Sequence, residues 1–474
     1  MHVDIDWRLA FTQVSYLIAA FCFIVGLKQL GHPSTARRGN QIAGAGMALA
    51  VVATFFSRAI HGTTNIVLII GGIVIGALIS GYFARTVLMT AMPQMVAIFN
   101  GMGGATAALV SIASFTNPHF DGTRGIVLSV VLSAIIGAIS FAGSIIAYLK
   151  LQELLSGRPI TYGGQQIVNV LVGLAIVALG AYIVYERGGG NSTGALVLLA
   201  ALAVALGVLV VLPIGGADMP VVIAILNSLT GLAAAITGFE LDNQALVVAG
   251  ILVGASGSLL TLLMAKAMNR SVANVLFGAF GSGPAAGVAG PASDHEALPV
   301  REISAEDAAV PLAYAQRVII VPGYGLAVAQ AQHTVRELAD VLSARGVDVK
   351  YAIHPVAGRM PGHMNVLLAE ANVPYDELYE MDDINDDFSN TDVALVIGAN
   401  DVTNPAARND SSSPIYGMPI LNVDQAHTII VLKRSMKSGF AGIENELFHD
   451  PKTSMLFGDA KDSLAKLVGA VKGA

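Results

Sequence analysis

The sequence from residue 318 to residue 332 reads VIIVPGYGLAVAQAQ. It begins with a β-branched run typical of a buried strand, passes through Gly323 and Gly325, and continues as an Ala- and Gln-rich segment that favours a helix. Glycines at these positions allow a tight turn and a close approach to a pyrophosphate, and a helix that starts there offers free N–H groups. The spacing is Gly-x-Gly-x-x-Val, so by itself this dinucleotide signature is weak.

The composition indicates a membrane protein. The chain has 474 residues, of which 54% are apolar and 12% are charged, and such a sequence is too apolar for a soluble enzyme of this length. Residues 1–282 carry 12 Lys/Arg against 8 Asp/Glu, whereas residues 283–474 carry 14 against 25. The acidic second part argues against a nucleic acid as partner, because phosphate binding requires a basic surface.

Charge-free intervals predict nine membrane helices, each long enough for a helix of about 20 residues across a hydrocarbon core of about 30 Å. The longest is too short for two spans and a turn, so it is expected to hold one helix and a loop. The single cysteine, Cys22, is expected to pack as a small apolar side chain, and the N-terminus lacks the pattern of a signal peptide. The intervals are 9–27, 39–57, 59–84, 86–120, 125–149, 159–185, 188–217, 219–239 and 243–265.

The basic residues favour an orientation with the N-terminus outside and the C-terminal domain in the cytoplasm. Nine spans place the two ends on opposite sides, and in this orientation eight cations lie inside and four outside, as the positive-inside rule expects. The inner set is Lys28, Arg37, Arg38, Arg85, Lys150, Arg158, Lys266 and Arg270, and the outer set is Arg8, Arg58, Arg124 and Arg187.

Few polar side chains are predicted at membrane depth. Asn100, Ser144 and Asn227 lie within spans, and Asp218 lies at the start of one. One interpretation is structural, with hydrogen bonds between helices and helix capping by Asp218. The other is a hydrated ion path. No titratable side chain lies deep in any interval, which weighs against a proton pump because a proton path usually contains such a group.

The second part of the chain predicts a doubly wound α/β domain. Residues 278–315 are rich in Gly, Pro and Ala and then in acidic residues, which is typical of a linker, here with one short helix. After it, strand-like and helical segments alternate, which favours a parallel sheet with helices on both faces. The chain is therefore divided into a transmembrane domain (1–277), a linker (278–315) and a nucleotide-binding domain (316–474). The predicted strands are 317–321, 347–353, 378–381, 393–397, 419–423 and 428–432.

Loops after the second, fourth and sixth predicted strands are candidate ligand sites, because doubly wound domains bind ligands beyond the carboxyl ends of strands. The loop from residue 354 to residue 365 has no acidic residue for a ribose hydroxyl, which favours NADP over NAD. A second loop covers 398–405. The third begins with Lys433, Arg434 and Ser435, which suit a 2′-phosphate, although a solvated surface is the common alternative for two adjacent cations.

An acidic run occupies residues 382–387. It could be a solvated loop or a metal site. We favour the loop and expect no metal site, because no recognised ligand spacing is present.

Taken together, these segments resemble the beta subunit of the membrane-bound, proton-translocating NAD(P) transhydrogenase. The resemblance covers almost the whole chain. It rests in the soluble part on segments 323–330, 354–365, 382–388, 398–405 and 433–442, and in the membrane part on 216–220 and 266–270.

The resemblance implies that this chain binds NADP(H) and that a separate alpha subunit, in one or two chains, binds NAD(H). Hydride would pass directly between the two nicotinamides, coupled to proton movement across a bacterial inner membrane, in a dimer of alpha–beta units. No acid–base catalyst is expected in the soluble domain, since the cofactor carries the hydride chemistry.

The resemblance also implies roles for individual residues, with segment 436–443 closing over the cofactor as a lid. The implied cofactor-binding residues are Gly323, Tyr324, Gly325, Ala327, Val328, Ala329, Arg359, Met360, Pro361, Gly398, Ala399, Asn400, Asp401, Lys433, Arg434, Ser435, Gly439, Phe440 and Ala441. The implied proton-path or coupling residues are Asn100, Ser144, Asp218, Asn227, Arg270 and Asp401.

Two positions depart from the family pattern. Asn100 stands where some members carry a histidine proposed as proton carrier, and Phe440 replaces a tyrosine. Because asparagine does not titrate, a carrier would have to lie on a membrane helix of the alpha subunit. The hydroxyl role of the tyrosine is likewise missing from this lid.

Two other classes of protein compete with the pump. One is a channel or transporter gated by a nucleotide-sensing domain, although no Thr-Val-Gly-Tyr-Gly-type filter occurs. The other is an anchored dehydrogenase, for which nine spans are more than an anchor needs. The residues alone leave pump and transporter nearly equal, and the resemblance favours the pump.

Overall fold

The computed structural model describes residues 7–57, 60, 62–117, 120, 122–156, 159–186, 192–269, 271–277, 300–360, 362–411, 413, 415–439 and 441–474. Its chain divides into two compact units, Met1–Thr261 and Leu262–Ala474. Three predicted site residues, Arg270, Pro361 and Phe440, lie outside the described residues, as do residues 278–299 of the predicted linker.

Long apolar helices make up the N-terminal part of the described chain. Of nine long helices there, eight are long and apolar enough to cross a membrane, and α2 is the exception. The prediction of nine spans is therefore not confirmed in full; α2 has 22 residues, but its first half is rich in polar and basic side chains. The helices are α1 Trp7–Leu30, α2 Pro33–Thr54, α3 Thr63–Thr86, α4 Met92–Phe115, α5 Arg124–Leu151, α6 Gln165–Glu186, α7 Ser192–Val211, α8 Met219–Glu240 and α9 Gln244–Ala267.

Helix α5 is the centre of the bundle, and small residues let its neighbours approach closely. A Cβ on Gly104 of α4 would lie 2.7 Å from the carbonyl oxygen of Gly137 in α5. A Cβ on Gly207 of α7 would lie 2.6 Å from the carbonyl oxygen of Ile139. Because apolar side chains gain little by leaving lipid for another helix, such close backbone packing is a main source of helix association in membranes.

The C-terminal unit contains a six-stranded parallel sheet with the order β3-β2-β1-β4-β5-β6. This is the order of doubly wound dinucleotide-binding folds, in which the order of successive strands across the sheet reverses between β1 and β4. The strands β1 and β4 are buried on both faces, which explains their continuous apolar runs. The strands are β1 Arg317–Pro322, β2 Asp348–Ile353, β3 Leu378–Glu380, β4 Val393–Ile397, β5 Thr428–Lys433 and β6 Thr453–Phe457.

One predicted strand was wrong and one real strand was missed. Segment 419–423 is not a strand, although Ile420 and Leu421 are buried. Its apolar pattern reflects a loop held inside the domain, where Leu421 N–H donates to the Val402 carbonyl at 3.0 Å. The sixth strand is β6, whose short run of five residues at the sheet edge gave a weak signal. Lys433 therefore ends the fifth strand, β5, instead of following the sixth.

Eight shorter α-helices complete the described part of the chain. N-terminal caps begin two of them, α11 and then α17: Ser304 accepts from Asp307 N–H, and Asp459 accepts from Lys461 N–H. The first of these helices is the short one expected within the linker. The helices are α10 Val272–Phe277, α11 Ala305–Ala313, α12 Tyr324–Val328, α13 Gln332–Ala344, α14 His363–Glu370, α15 Met381–Ile384, α16 Ala406–Asn409 and α17 Ala460–Gly473.

Candidate functional site

The candidate site begins where the glycine turn after β1 meets the loop after β4. Gly323 N–H donates to the Ile397 carbonyl at 2.9 Å, and Gly325 N–H donates to the Gly398 carbonyl at 3.0 Å. A Cβ on Gly325 would lie 2.7 Å from Gly398 Cα, and Gly398 has a φ of +65°. The glycines thus let two loops touch through their backbones. Both N–H groups of the turn donate to backbone carbonyls of the other loop. The sequence had predicted only a role in pyrophosphate binding for this turn.

The helix that follows the turn is shorter than predicted. Helix α12 has only five residues, and α13 begins after Gln330, whose φ of 50° breaks the helix. Its dipole is correspondingly small, so the expected attraction of a phosphate to a helix end is weak here. Ala327 is fully buried in the core, while Val328 is 40% exposed. Ala329 is half-buried.

The loop after β2 and the start of α14 bring two side chains, Arg359 and His363, to the glycine turn. The Arg359 guanidinium carbon lies 4.6 Å from the centre of the Tyr324 ring, and Arg359 N–H donates to His363 Nδ1 at 3.0 Å. The rings of Tyr324 and His363 are 6.4 Å apart. The structure therefore joins two predicted residues, Tyr324 and Arg359, and adds His363. Met360 is half-buried beside them in sequence.

His354, the first residue of this loop, is locked in a neutral state. Its side chain is 1% exposed, its Nδ1 accepts from Val356 N–H at 3.2 Å, and its Nε2 lies 2.8 Å from the Pro419 carbonyl. This pattern requires the proton on Nε2, which donates to Pro419. Burial lowers the pKa of His354 to about 4, against the opposing effects of the Pro419 hydrogen bond and Asp382. His354 thus fastens the loop to segment 419–423.

The loop after β4 holds the predicted lid. Asp401 Oδ2 accepts from Ala441 N–H at 3.0 Å. With its amide oxygen turned toward the lid, Asn400 accepts from Gly439 N–H at 2.6 Å and from Lys433 Nζ at 3.3 Å. A Cβ on Gly439 would lie 2.5 Å from Asp401 Oδ1. Glycine at this position is therefore needed for the lid to reach Asn400 and Asp401.

Of the three residues at the end of β5, one is directed inward. Lys433 Nζ donates to the Lys437 carbonyl at 2.7 Å and lies 4.5 Å from the centre of the Phe448 ring. Burial lowers the pKa of Lys433, and the charges of Asp401 and Glu444 oppose this shift. Arg434 and Ser435 are exposed. Lys433 thus belongs to the lid contact, and Arg434 is the cation directed to solvent.

Asn445 also belongs to this group, although no sequence pattern predicted it. It is 1% exposed, and its Nδ2 donates to the Asn400 carbonyl at 3.0 Å. Its Oδ1 accepts from Leu447 N–H at 3.0 Å. Asn445 therefore fixes the backbone that carries Asn400. No local pattern marks this role, since the contact is 45 residues away in the chain.

In the membrane unit, Asn100 and Ser144 come together across α4 and α5. Asn100 Nδ2 donates to Ser144 Oγ at 2.9 Å and to Ser140 Oγ at 3.4 Å. Ser140 in turn donates to the Leu226 carbonyl at 2.9 Å and lies 2.6 Å from Thr230 Oγ1. Asn227 is half-buried on α8, but the connection to α8 runs through its neighbours. Ser140 and Thr230 were missed because single hydroxyls in apolar helices are common.

Polar and charged groups also lie at the ends of these helices. Lys150 is 3% exposed and donates to the carbonyls of Leu212 and Ile214, after the end of α7. Asp218 is 9% exposed and immediately precedes α8, yet its side chain makes no capping hydrogen bond to that helix. The capping interpretation is therefore wrong. The terminal turns of α5 and α8 contain Lys150 and Glu240, one residue beyond the charge-free intervals.

The architecture and site define a class of protein. Apolar helices precede a doubly wound domain whose loops after β1, β2, β4 and β5 place paired glycines, an arginine and a Lys-Arg-Ser group at the carboxyl ends of the strands. These are the features of an integral membrane protein with a dinucleotide-binding domain.

Comparison with known proteins identifies the family. The family described as NAD(P) transhydrogenase beta subunit matches residues 12–470. NAD(P) transhydrogenase subunit beta of Rhodospirillum rubrum is 51% identical over 468 residues, which cover 97% of this chain and 99% of that relative. A second curated sequence, from a strain of the same organism, matches to the same extent. The chain belongs to the NAD(P) transhydrogenase beta-subunit family.

Membership fixes the general activity. The enzyme transfers hydride between NADH and NADP⁺ and couples this transfer to proton translocation across a membrane. This chain is a membrane component that binds nicotinamide nucleotide and works with an alpha subunit. The gated transporter and the non-pumping anchored dehydrogenase are thereby set aside.

Proposed function

We propose that the nucleotide bound by this chain is NADP(H) and that the alpha subunit, in one or two chains, binds NAD(H). The observation that carries this proposal is the group Lys433, Arg434 and Ser435 at the end of β5, beside the reversal between β1 and β4. Arginine can pair bidentately with a 2′-phosphate, and lysine adds a point charge. A residue that selects NAD by its ribose hydroxyls would be acidic and would follow β2, where this chain has His354.

The described residues fit such a cofactor and suggest how each would act. Gly323, Gly325 and Gly398 keep the floor of the site free of side chains, so a pyrophosphate can approach the backbone. Tyr324 and Arg359 form one wall, Asn400 and Asp401 another. Arg434 is exposed and available to a phosphate, whereas Lys433 would first exchange the Lys437 carbonyl for it. When bound, the nicotinamide supplies the hydride chemistry.

The protein then has two tasks: to hold two nicotinamide rings in contact and to exclude water. The lid is suited to the second. Ala441 N–H donates to Asp401, and Gly439 N–H donates to Asn400, so the lid lies over the strand ends. We assign contacts with the cofactor to the remaining site residues, Ala327 through its backbone, Val328, Ala329, Met360, Pro361, Ala399, Ser435 and Phe440.

We propose that Asp401 links protonation to the lid. A carboxylate is a stronger acceptor than a carboxylic acid, so protonation of Asp401 weakens its hydrogen bond with Ala441. In the membrane part, the path would run past Asn100 and Ser144 and Asn227, with Asp218 and Arg270 at its cytoplasmic end. A histidine of the alpha subunit would supply the titratable carrier that Asn100 cannot be.

The membrane and the assembly are also proposals. By family resemblance the membrane would be the bacterial inner membrane, and the basic residues support an orientation with the N-terminus outside and residues 316–474 in the cytoplasm. Residues 1–277 would form the proton-conducting domain and 278–315 the linker. By family resemblance, two alpha–beta units would form the working complex.

Sealed vesicles that contain this chain with its alpha partner test the function. We expect hydride transfer from NADPH to an NAD analogue to be accompanied by a change in lumenal pH, reported by an internal dye. The change should disappear with a protonophore while transfer continues. Hydride transfer with no pH change in tight vesicles would contradict a coupled pump.

Nucleotide selectivity tests the assignment of Lys433 and Arg434. The double variant Lys433→Ala, Arg434→Ala should weaken binding of NADP(H) by about 3 kcal/mol, or about 10²-fold, because charge-assisted hydrogen bonds to the 2′-phosphate are lost. Binding of the analogue without that phosphate should change little. Lys461→Ala, a lysine of α17, is the matched control. Equal losses for both ligands would remove Lys433 and Arg434 from the phosphate site.

A further inference from the structure

Glu240 is a carboxyl group turned into the bundle at one end of α8. It is the last residue of that helix and is half-buried. Ser111 of α4, which is fully buried, donates to its Oε2 at 2.9 Å. Its Oε1 is also buried and has no hydrogen bond among the described residues, although Ser114 approaches the carboxyl as well. One carboxylate oxygen of Glu240 therefore faces the hydroxyl of Ser111, and the other is shielded from solvent by the bundle.

No cation compensates this carboxyl among the residues that the structure describes. Helix α4 has no charged residue; α5 has Arg124, which is exposed in its first turn, and Lys150 at its opposite end. Helix α9 has only Lys266, also at its opposite end. Arg8 of α1 lies over the Trp7 ring. Half-burial removes part of the hydration of this carboxylate and no described counter-charge replaces it, which makes Glu240 the candidate group for proton exchange at this end of the bundle.

A stripe of hydroxyl groups leads from Glu240 into the bundle. Positions 240, 237 and 230 of α8 lie on one helix face, as do 133, 140 and 144 of α5. Thr237 Oγ1 lies 2.6 Å from Ser133 Oγ, and Thr230 Oγ1 lies 2.6 Å from Ser140 Oγ. Beyond them, Asn100 donates to Ser140 and Ser144. The stripe thus joins Glu240 to the polar centre already described.

The stripe is interrupted between Glu240 and Thr237, which share no hydrogen bond in the described part of the chain, and again between its two hydroxyl pairs. The two hydroxyl pairs are seven residues apart on each helix, which corresponds to about 10 Å along the axis. Direct transfer over that distance is impossible, so the gap requires water. Hydroxyl groups on both sides of the gap are the partners that bridging water needs.

We infer that Glu240 is the group that takes up and releases the translocated proton at this end of the bundle. The inference rests on the proposed proton path through Asn100. A hydronium ion in the adjoining solution protonates the carboxylate and leaves water. The acid then gives a proton to the nearest oxygen of the stripe, directly or through water, while that oxygen passes its own proton onward. The carboxylate is regenerated, and each oxygen ends with the protons that it held at the start.

Ser111 is the positioning residue of this group. By donating to Oε2, it holds the carboxyl toward the bundle and favours the charged form over the acid. Loss of its hydroxyl should therefore let Glu240 hold its proton up to higher pH. A variant of Ser111 therefore tests the inference without removing the carboxyl group of Glu240.

The test uses sealed vesicles with the complete alpha–beta complex, with lumenal and external pH set separately. Glu240→Gln should reduce proton translocation by about 10²-fold, the size of a general acid–base contribution. The rate of hydride transfer should also lose its dependence on the pH at the Glu240 side, while NADP(H) affinity stays unchanged. Glu240→Asp should restore part of the translocation, with a displaced pH profile.

Asp242→Asn is the matched control. Asp242 is an exposed carboxylate two residues away with a φ of 50°, a conformation that asparagine tolerates, so translocation and the pH profile should remain those of the wild type. If Glu240→Gln does not assemble, Ser111→Ala is measured instead. The midpoint of the dependence of hydride transfer on the pH at the Glu240 side should shift upward, and an unshifted midpoint overturns the inference.

Asn100→Ala distinguishes a failure of the Glu240 assignment from a failure of the proposed proton path. If Asn100→Ala loses translocation while Glu240→Gln translocates protons as the wild type does, the assignment of Glu240 is wrong and the path through Asn100 stands. If the rate of hydride transfer in Glu240→Gln is lower at every pH but keeps the wild-type pH profile, Glu240 has only a structural role. Wild-type vesicles that transfer hydride without moving protons would instead remove the proposed function itself.

Discussion

At the scale of single residues, the site depends as much on absent side chains as on present ones. Gly325 and Gly398 permit a contact between two loops in which an added Cβ would lie 2.7 Å from backbone. The neighbouring histidines show the opposite principle. His354 and His363 are 1% exposed, and each accepts a backbone N–H through Nδ1. Their rings hold the loop after β2 in shape.

The burial of His354 predicts a pH-dependent stability for the soluble domain. Its pKa is lowered from 6.5 to about 4, so between these values the unfolded chain binds more protons than the folded one. Stability is full above pH 6.5 and falls as the pH drops toward 4. By pH 5 the loss should be about 2 kcal/mol. Pulse proteolysis in urea on the detergent-solubilised chain measures it.

His333 provides the control for this effect. It is exposed in α13. His333→Gln should therefore keep the acid-induced loss, whereas His354→Gln should lower stability at pH 7 and flatten its dependence on pH. A dependence that survives in His354→Gln would assign it to another group.

At the scale of elements, the structure turns a predicted helix and a predicted lid into defined contacts. The helix after β1 is interrupted between α12 and α13. Because a helix of five residues has a small dipole, the proposed cofactor binding depends more on side chains and loop backbone than on a helix end. The lid is held through the Ala441 N–H and the Gly439 N–H, both donated to consecutive residues of the β4 loop.

The lid contact predicts faster cofactor release when it is crowded. A Cβ at position 439 would lie 2.5 Å from Asp401 Oδ1 and 2.9 Å from the side-chain amide of Asn400. Gly439→Ala should displace the lid and raise the NADPH release rate by about tenfold, which corresponds to about 1.4 kcal/mol. Stopped-flow NADPH fluorescence measures the rate.

Gly469→Ala serves as the companion variant, because Gly469 lies in α17 with open space around its Cβ position. Its release rate should equal that of the wild type, and its stability should rise slightly because alanine favours a helix. Equal release rates in Gly439→Ala and the wild type would show that the lid does not limit release.

At the scale of the whole molecule, the proposed orientation follows from charge. Nine membrane helices, with α2 counted among them, would place the N-terminus and the C-terminal domain on opposite sides of the membrane, and the basic residues then favour the C-terminal domain inside. In a Cys22→Ser background, a cysteine at position 2 should react with an impermeant thiol reagent added outside intact cells. A cysteine at the exposed Lys461 should react only after the cells are opened. Labelling of both sites from outside would contradict this orientation.

Much of the architecture followed from the sequence. Charge-free runs of about 20 residues can only be buried in lipid or protein, and eight of the nine predicted spans appear as apolar helices of that length. Alternating segments predicted five of the six strands. The site loops were located because parallel sheets bring ligands to the carboxyl ends of their strands.

The tertiary structure decided what no local pattern contains. Segment 419–423 is as apolar as a strand but is buried as a loop, and Lys433 points to the lid while Arg434 faces solvent. Glu240 and Ser111 are 129 residues apart in the chain and 2.9 Å apart in space. Hydrophobicity and spacing are properties of neighbouring residues, so the sequence determines which segments cross the membrane or enter the sheet. Pairing between distant side chains depends on packing, and only the folded chain fixes it.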